Sequence, residues 1–173
     1  MTLSKTAHIG RILGTPVSML TPADSPVYVL LIGEAPGPRG ADKSGVPFFG
    51  DAAGKVLYDV LVRMGAITLP PAIDRMEWDG ALFVANGFVP LAHGVALGNA
   101  FDRCPTDDGA TFRAPLRSEL EGTSNLARLT RDITTLRTRG LKGIVTLGRV
   151  ATRTIDMLYK RTPMPEVARC ALP

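Results

Sequence analysis

The sequence predicts an α/β protein: a mostly parallel sheet of about four strands in a three-layer αβα sandwich. Three observations predict it. Residues 27–32 read Val-Tyr-Val-Leu-Leu-Ile, an uninterrupted apolar run of strand length, as expected for a strand buried on both faces. Short runs of this kind alternate with segments of helical period at 51–64, from Ser124 to Arg139, and after Gly148. Each of these helical segments is stopped or started by a glycine, at Gly65, Gly140 and Gly148. Strands alternating with helices imply right-handed crossovers and a sheet covered by helices.

The elements follow in order. Residues 1–25 have a mixed pattern and are set aside as an N-terminal extension. The strand at 27–32 runs into a turn that holds Glu34 between Gly33 and Gly37. A helix fits 51–64, with Asp51 able to cap its first turn. Its core stripe is Leu57, Val60, Leu61 and Met64, spaced i, i+3, i+4, i+7. Pro70 and Pro71 mark a loop, and Leu82-Phe83-Val84-Ala85 is expected as the second strand, ending at Asn86-Gly87. Residues 87–123 are rich in Gly, Pro and Asp with little periodicity, a composition that suits an irregular functional stretch. Leu126, Leu129, Ile133 and Leu136 define one face of the next helix, with Arg128, Arg131 and Arg139 largely off it. Gly143–Leu147 is the third strand, Ala151, Ile155 and Leu158 face inward from the following helix, and 164–173 supplies the fourth strand.

A chain of 173 residues is one domain by length and long enough for a sizeable core. Hydrophobic content of 45% and a charged fraction of 21% are those of a globular protein. No apolar run reaches membrane-spanning length, so no membrane partner is expected. Gly10, Gly14 and Pro16 interrupt any secretory apolar segment, and Cys104 and Cys170 make no disulfide framework. A reduced, cytoplasmic monomer is the expectation. The net charge of +4 and the arginines concentrated in the second half suit a nucleic-acid partner; they suit a solvated surface equally well.

Other chemistries have little support. The stretch Gly50-Asp51-Ala52-Ala53-Gly54-Lys55-Val56 is one residue short of a phosphate-binding loop, and Val56 stands where a magnesium-binding hydroxyl is needed. The histidines, His8 and His93, lie far apart and no Cys-x-x-Cys occurs, so no metal is expected. A Gly-x-Ser-x-Gly nucleophile elbow is absent from the sequence.

The turn Gly33-Glu34-Ala35-Pro36-Gly37, followed by Gly45-Val46-Pro47-Phe48-Phe49-Gly50, resembles the uracil-DNA glycosylase superfamily, most closely its family 4 branch. The likeness covers about residues 27–158, with a poor match from 88 to 123. It implies a DNA glycosylase that recognises uracil or a modified pyrimidine and hydrolyses its N-glycosidic bond. A non-catalytic relative that binds DNA or a nucleobase is the alternative, as is an enzyme altered toward modified bases or nucleosides. By the family pattern Glu34 positions or activates the attacking water, and Asn86, following the second strand, reads the base edge. Phe48 stacks on the base, with Gly33 and Ala35 beside it, while Phe49 belongs to the core. Phosphate contacts fall to Gly37, Lys43, Gly148 and Arg149.

The chain departs from that pattern in two places. Family 4 holds an iron–sulfur cluster on four cysteines, and two cysteines imply no such cofactor. The family's His-Pro-Ser loop has no counterpart here: if Pro173 takes the motif's proline, Leu172 stands where the histidine would. The expectation is then a shortened chain or a changed chemistry.

Overall fold

The computed structural model describes residues 7–8, 11–12, 14–108 and 111–173. Its elements are β1 (Ala7–His8), β2 (Arg11–Ile12), β3 (Val27–Gly33), α1 (Ala41–Ser44), α2 (Ala52–Arg63), β4 (Ile67–Thr68), a 3-10 turn (Pro71–Arg75), α3 (Gly80–Ala85), β5 (Leu91–Ala92), β6 (Gly94–Asn99), α4 (Arg117–Leu120), α5 (Thr123–Thr138), β7 (Gly143–Leu147), α6 (Arg149–Arg161) and β8 (Ala168–Leu172). The chain packs into two compact units. A loop unit comprises the described parts of 1–18, 36–91 and 103–114; a sheet unit comprises 19–35, 92–102 and 115–173.

The sheet unit carries the expected four-stranded parallel sheet, in the order β6-β3-β7-β8. The apolar β3 lies between β6 and β7, with Leu30 paired to Ala96 on one side and Ile144 on the other. Leu30, Ile32, Ala96 and Ile144 share one core with Leu129, Ile133 and Leu136 of α5 and with Ala151, Ile155 and Leu158 of α6. The helical periodicity read from 124–139 and after Gly148 thus marks the buried faces correctly. Arg128 is an exception: its side chain is only 14% exposed rather than off the buried face. Residues 19–25 of the segment set aside as an extension also join this unit, where Leu20 exchanges two backbone hydrogen bonds of 2.9 Å with Leu97.

The second strand is a correction. Residues 80–85 form helix α3, not a strand, and the strand that pairs with β3 is β6, inside the stretch read as irregular. A four-residue apolar run fits either state, and the decisive residue lies outside it. Asp79 caps the helix, its carboxylate accepting from the Ala81 and Leu82 N–H groups at 2.8 and 3.0 Å. Strand β6 escaped notice because it reads Gly-Val-Ala-Leu-Gly-Asn, small residues with low strand propensity. Gly98 also leaves room for its neighbour: a Cβ there would stand 2.9 Å from the Met19 side chain, which would have to shift.

In the loop unit α2 occupies 52–63, as expected, but its buried face is Gly54, Tyr58 and Leu61. Val60 and Met64 of the expected stripe are 47% and 73% exposed. The helix is rotated so that Tyr58 enters an aromatic cluster with Phe49, Trp78 and Phe83, its hydroxyl donating to the Pro47 carbonyl at 3.0 Å. Burying that ring with its hydroxyl satisfied outweighs burying the smaller Val60 and the flexible Met64. Phe49, fully buried, is a core residue as expected.

Candidate active site

In an open parallel sheet, ligands bind beyond the carboxyl ends of the strands, where neighbouring crossovers leave in opposite directions. The order β6-β3-β7-β8 puts that switch point between β3 and β7. The turn Gly33-Glu34-Ala35 follows β3, and Gly148-Arg149 follows β7. Ile32 pairs with Thr146 just before both turns. Glu34 and Ala35 are half-buried, Gly33 is buried, and Arg149 is exposed.

On the other flank of β3, Asn99 ends β6 directly opposite Gly33. The segment after it is tied to the Glu34 turn: Ala100 N–H donates to the Gly33 carbonyl at 2.8 Å, and Phe101 N–H to the Glu34 carbonyl at 2.9 Å. Asn99 is 3% exposed, yet neither its amide nitrogen nor its amide oxygen has a hydrogen-bond partner among the described residues. A buried side-chain amide left unpaired costs about 1–3 kcal/mol. Sequence reasoning missed Asn99. The signal was present, since it is an asparagine closing a small-residue strand, but it required recognising β6 first.

Behind Asn99 stands a polar cluster. Arg128 donates to the Asn99 carbonyl at 3.1 Å and to the Ala100 carbonyl at 2.9 Å. Asn125, buried on the same helix, donates to Ala100 and Leu120 carbonyls at 2.9 Å and accepts from Arg128. Asp132 at 3.2 Å and Asp102 at 3.7 Å balance the guanidinium. Burial pulls the Arg128 pKa down, and the two carboxylates oppose that pull.

At the third strand end, Gly148 takes a positive φ of 85° and its N–H donates to the Leu172 carbonyl at 3.0 Å. Helix α6 begins immediately afterward with a basic first residue and no acidic residue in its first turn. Its amino-terminal dipole and Arg149 both favour an anion.

Gly37, Lys43, Phe48 and Asn86 belong to the loop unit. There the Asp51 carboxylate accepts from the Ala41 N–H at 3.2 Å and from the Gly37 and Gly40 amides. Asp51 sits at the N-cap position of α2 without capping it. Its carboxylate instead holds the loop that precedes the helix. Burial pushes the Asp51 carboxyl above its usual range, and these amides pull it back. The same environment pushes the neighbouring Cys104 thiol up to about 12, through burial first and the charges of Asp42 and Asp51 second. Such a thiol is protonated and inert at neutral pH.

Phe48 is half-buried and takes a φ of +63°, the only left-handed non-glycine residue among those described. A bulky residue in that region stores about 1–3 kcal/mol of strain. Asn86 is the exposed C-cap of α3, and its amide is engaged locally with the Leu82 carbonyl at 2.8 Å. The premise that Asn86 follows a sheet strand is therefore corrected.

A family model for the uracil DNA glycosylase superfamily matches residues 21–168. The chain belongs to the uracil-DNA glycosylase superfamily. The match spans all three motif-bearing strand ends and begins close to Leu20, the residue that ties the amino-terminal segment to the sheet. No curated protein matches the chain. Membership in this superfamily implies DNA as the substrate class.

Proposed function

We propose that the protein removes uracil or a modified pyrimidine from DNA by hydrolysing the N-glycosidic bond, as a relative of the family 4 branch, with Asn99 reading the base and Glu34 serving the water. The unpaired, buried Asn99 amide beside the Glu34 turn carries this reading. An amide offers a donor and an acceptor side by side, which match the O4 and the N3–H of uracil. Cytosine presents the opposite pattern at those two positions, so the same amide discriminates against it.

Extruding a nucleotide costs a few kcal/mol, which contacts to the flipped base offset. The C1′–N1 bond then breaks, its electron pair leaving with the base. Water adds to C1′, and the Glu34 carboxylate orients it and accepts its proton. Stacking on the flipped base remains the proposed role of Phe48, a half-buried residue with a left-handed backbone. The start of α6, with Gly148 and Arg149, suits a phosphate flanking the flipped nucleotide. Gly37 and Lys43 keep their proposed phosphate role at the loop that Asp51 organises.

Incubation with uracil-containing single- and double-stranded oligonucleotides, followed by alkaline cleavage of abasic sites, tests the proposal. Strand breaks with wild type and a loss of on the order of a hundredfold or more with Glu34→Ala are expected. Intact uracil-DNA binding with no breaks from wild type would make the protein a non-catalytic binder.

A further inference from the structure

We propose that Arg128 is a positioning residue: its clamp on the Asn99 and Ala100 carbonyls sets the orientation of the Asn99 amide. The inference rests on the reading of Asn99 as the base-reading group. The strand fixes Asn99 from one side only. Its pairing with Gly33 settles the backbone up to its own Cα, because β6 ends there. Beyond that point the chain leaves the sheet, and the next two peptide planes anchor the backbone from which the amide projects.

Those two planes are held from both flanks. Toward β3 their N–H groups donate to Gly33 and Glu34. Toward α5 their carbonyls accept from one terminal nitrogen of Arg128, at 3.1 and 2.9 Å, with Asn125 adding a second donor to Ala100 at 2.9 Å. A planar guanidinium can bind two adjacent carbonyls while its remaining nitrogens, Nε and the other terminal one, stay on Asn125 and Asp132 at 3.2 Å each. A lysine ammonium has one position and cannot hold all of these partners. The segment is thus a bridge: a displacement of the Arg128 end reaches Asn99 directly and the Glu34 turn through Ala100 and Phe101. A displacement of about 1 Å in a recognition group costs on the order of a hundredfold in rate even when the mutated residue is remote.

Asn125 belongs to the same device. It is 6% exposed, and its amide is fully used, donating to two carbonyls and accepting from Arg128. Two asparagines at one backbone segment therefore have opposite states: Asn125 is saturated and Asn99 is unpaired.

The test uses Arg128→Lys, which retains a cation near Asp102 and Asp132, together with Arg128→Ala. Side-chain amide resonances of Asn99 in the full chain are the first readout, with those of the exposed Asn86 as internal control. Both variants are expected to shift and broaden the Asn99 pair and leave Asn86 unchanged. Unmoved Asn99 signals in folded Arg128→Lys would overturn the proposal. Single-turnover release of uracil is the second readout. Arg128→Lys is expected to lower the rate at saturating enzyme by about tenfold or more while half-saturation moves less than about threefold. In an Asn99→Ala background it should lower the rate no further, since a residue acting through Asn99 has nothing left to position. Full additivity of the two losses would show a general structural role instead. If wild type releases no base, yet the Asn99 signals respond to Arg128, the positioning holds and the glycosylase reading fails.

Discussion

At the scale of single residues, each unit keeps groups in states that folding alone disfavours. Asn99 is buried and unpaired, Phe48 is left-handed, and Asp51 is a carboxylate under desolvation. Replacing Asn99 by a similar-sized apolar residue removes an unsatisfied amide. Asn99→Leu is therefore expected to stabilise the protein by about 1–2 kcal/mol in urea unfolding while abolishing base release. A destabilised variant would mean that the amide has a structural partner. Asp51 gives a pH signature. Its folded-state pKa is raised, so its contribution is fully present below the ordinary aspartate value and is lost as pH rises through the raised one. Asp51→Asn lacks this titration. The stability of wild type relative to Asp51→Asn should then be greater in acid than at neutral pH, as read from urea midpoints at the two conditions; the reverse trend would contradict the assignment.

At the scale of elements, glycines decide how the loop unit packs. Gly54 lies in α2, where alanine would ordinarily gain about 1 kcal/mol of helix propensity. A Cβ there would stand 1.8 Å from the Phe48 carbonyl oxygen. That is backbone and cannot swing aside. Gly54→Ala is expected to lose about 2 kcal/mol or more in thermal or urea unfolding, since overpacking outweighs propensity. A neutral or stabilising effect would contradict the close approach. The elements also show what the sequence could reveal. Strand β3 was legible because its apolar run is continuous, and α5 and α6 because their periodicity matches one buried face. Strand β6 was not, because Gly94, Ala96 and Gly98 dilute its pattern, and α3 was misread because four apolar residues carry no period. The site inherited that error. Glu34 was read from its strand end, whereas Asn86 was taken to follow a sheet strand and instead ends α3, its amide donating to the Leu82 carbonyl; Asn99, which does end a sheet strand, went unread. Arg128 was read from periodicity as off the buried face, because charge patterning cannot reveal that two carbonyls and two carboxylates await it.

At the scale of the whole molecule, a net charge of +4 offers sequence-independent affinity for DNA. Not every arginine is available for it. Arg117 and Arg161 share Glu121, and Arg169 lies between Asp156 and Glu166. Arg149 and Arg153, one turn apart on α6, are exposed. Binding of a uracil-containing oligonucleotide should weaken steeply with salt. Arg149→Ala and Arg153→Ala should each reduce the log–log slope, by about 0.9 on duplex or about 0.7 on a single strand for every phosphate the arginine neutralises. Affinity that stays flat as salt rises would contradict phosphate binding by this face of α6. The central claim concerns the asparagine that ends β6. Single-turnover uracil release by Asn99→Asp, set beside Asn86→Asp, tests it most directly, because aspartate keeps the size and shape but replaces the amide donor with an ionisable, acceptor-only oxygen. The expected result is a loss on the order of a hundredfold to a thousandfold for Asn99→Asp and a wild-type rate for Asn86→Asp. The opposite pattern, with Asn99→Asp at full rate and Asn86→Asp impaired, would contradict it.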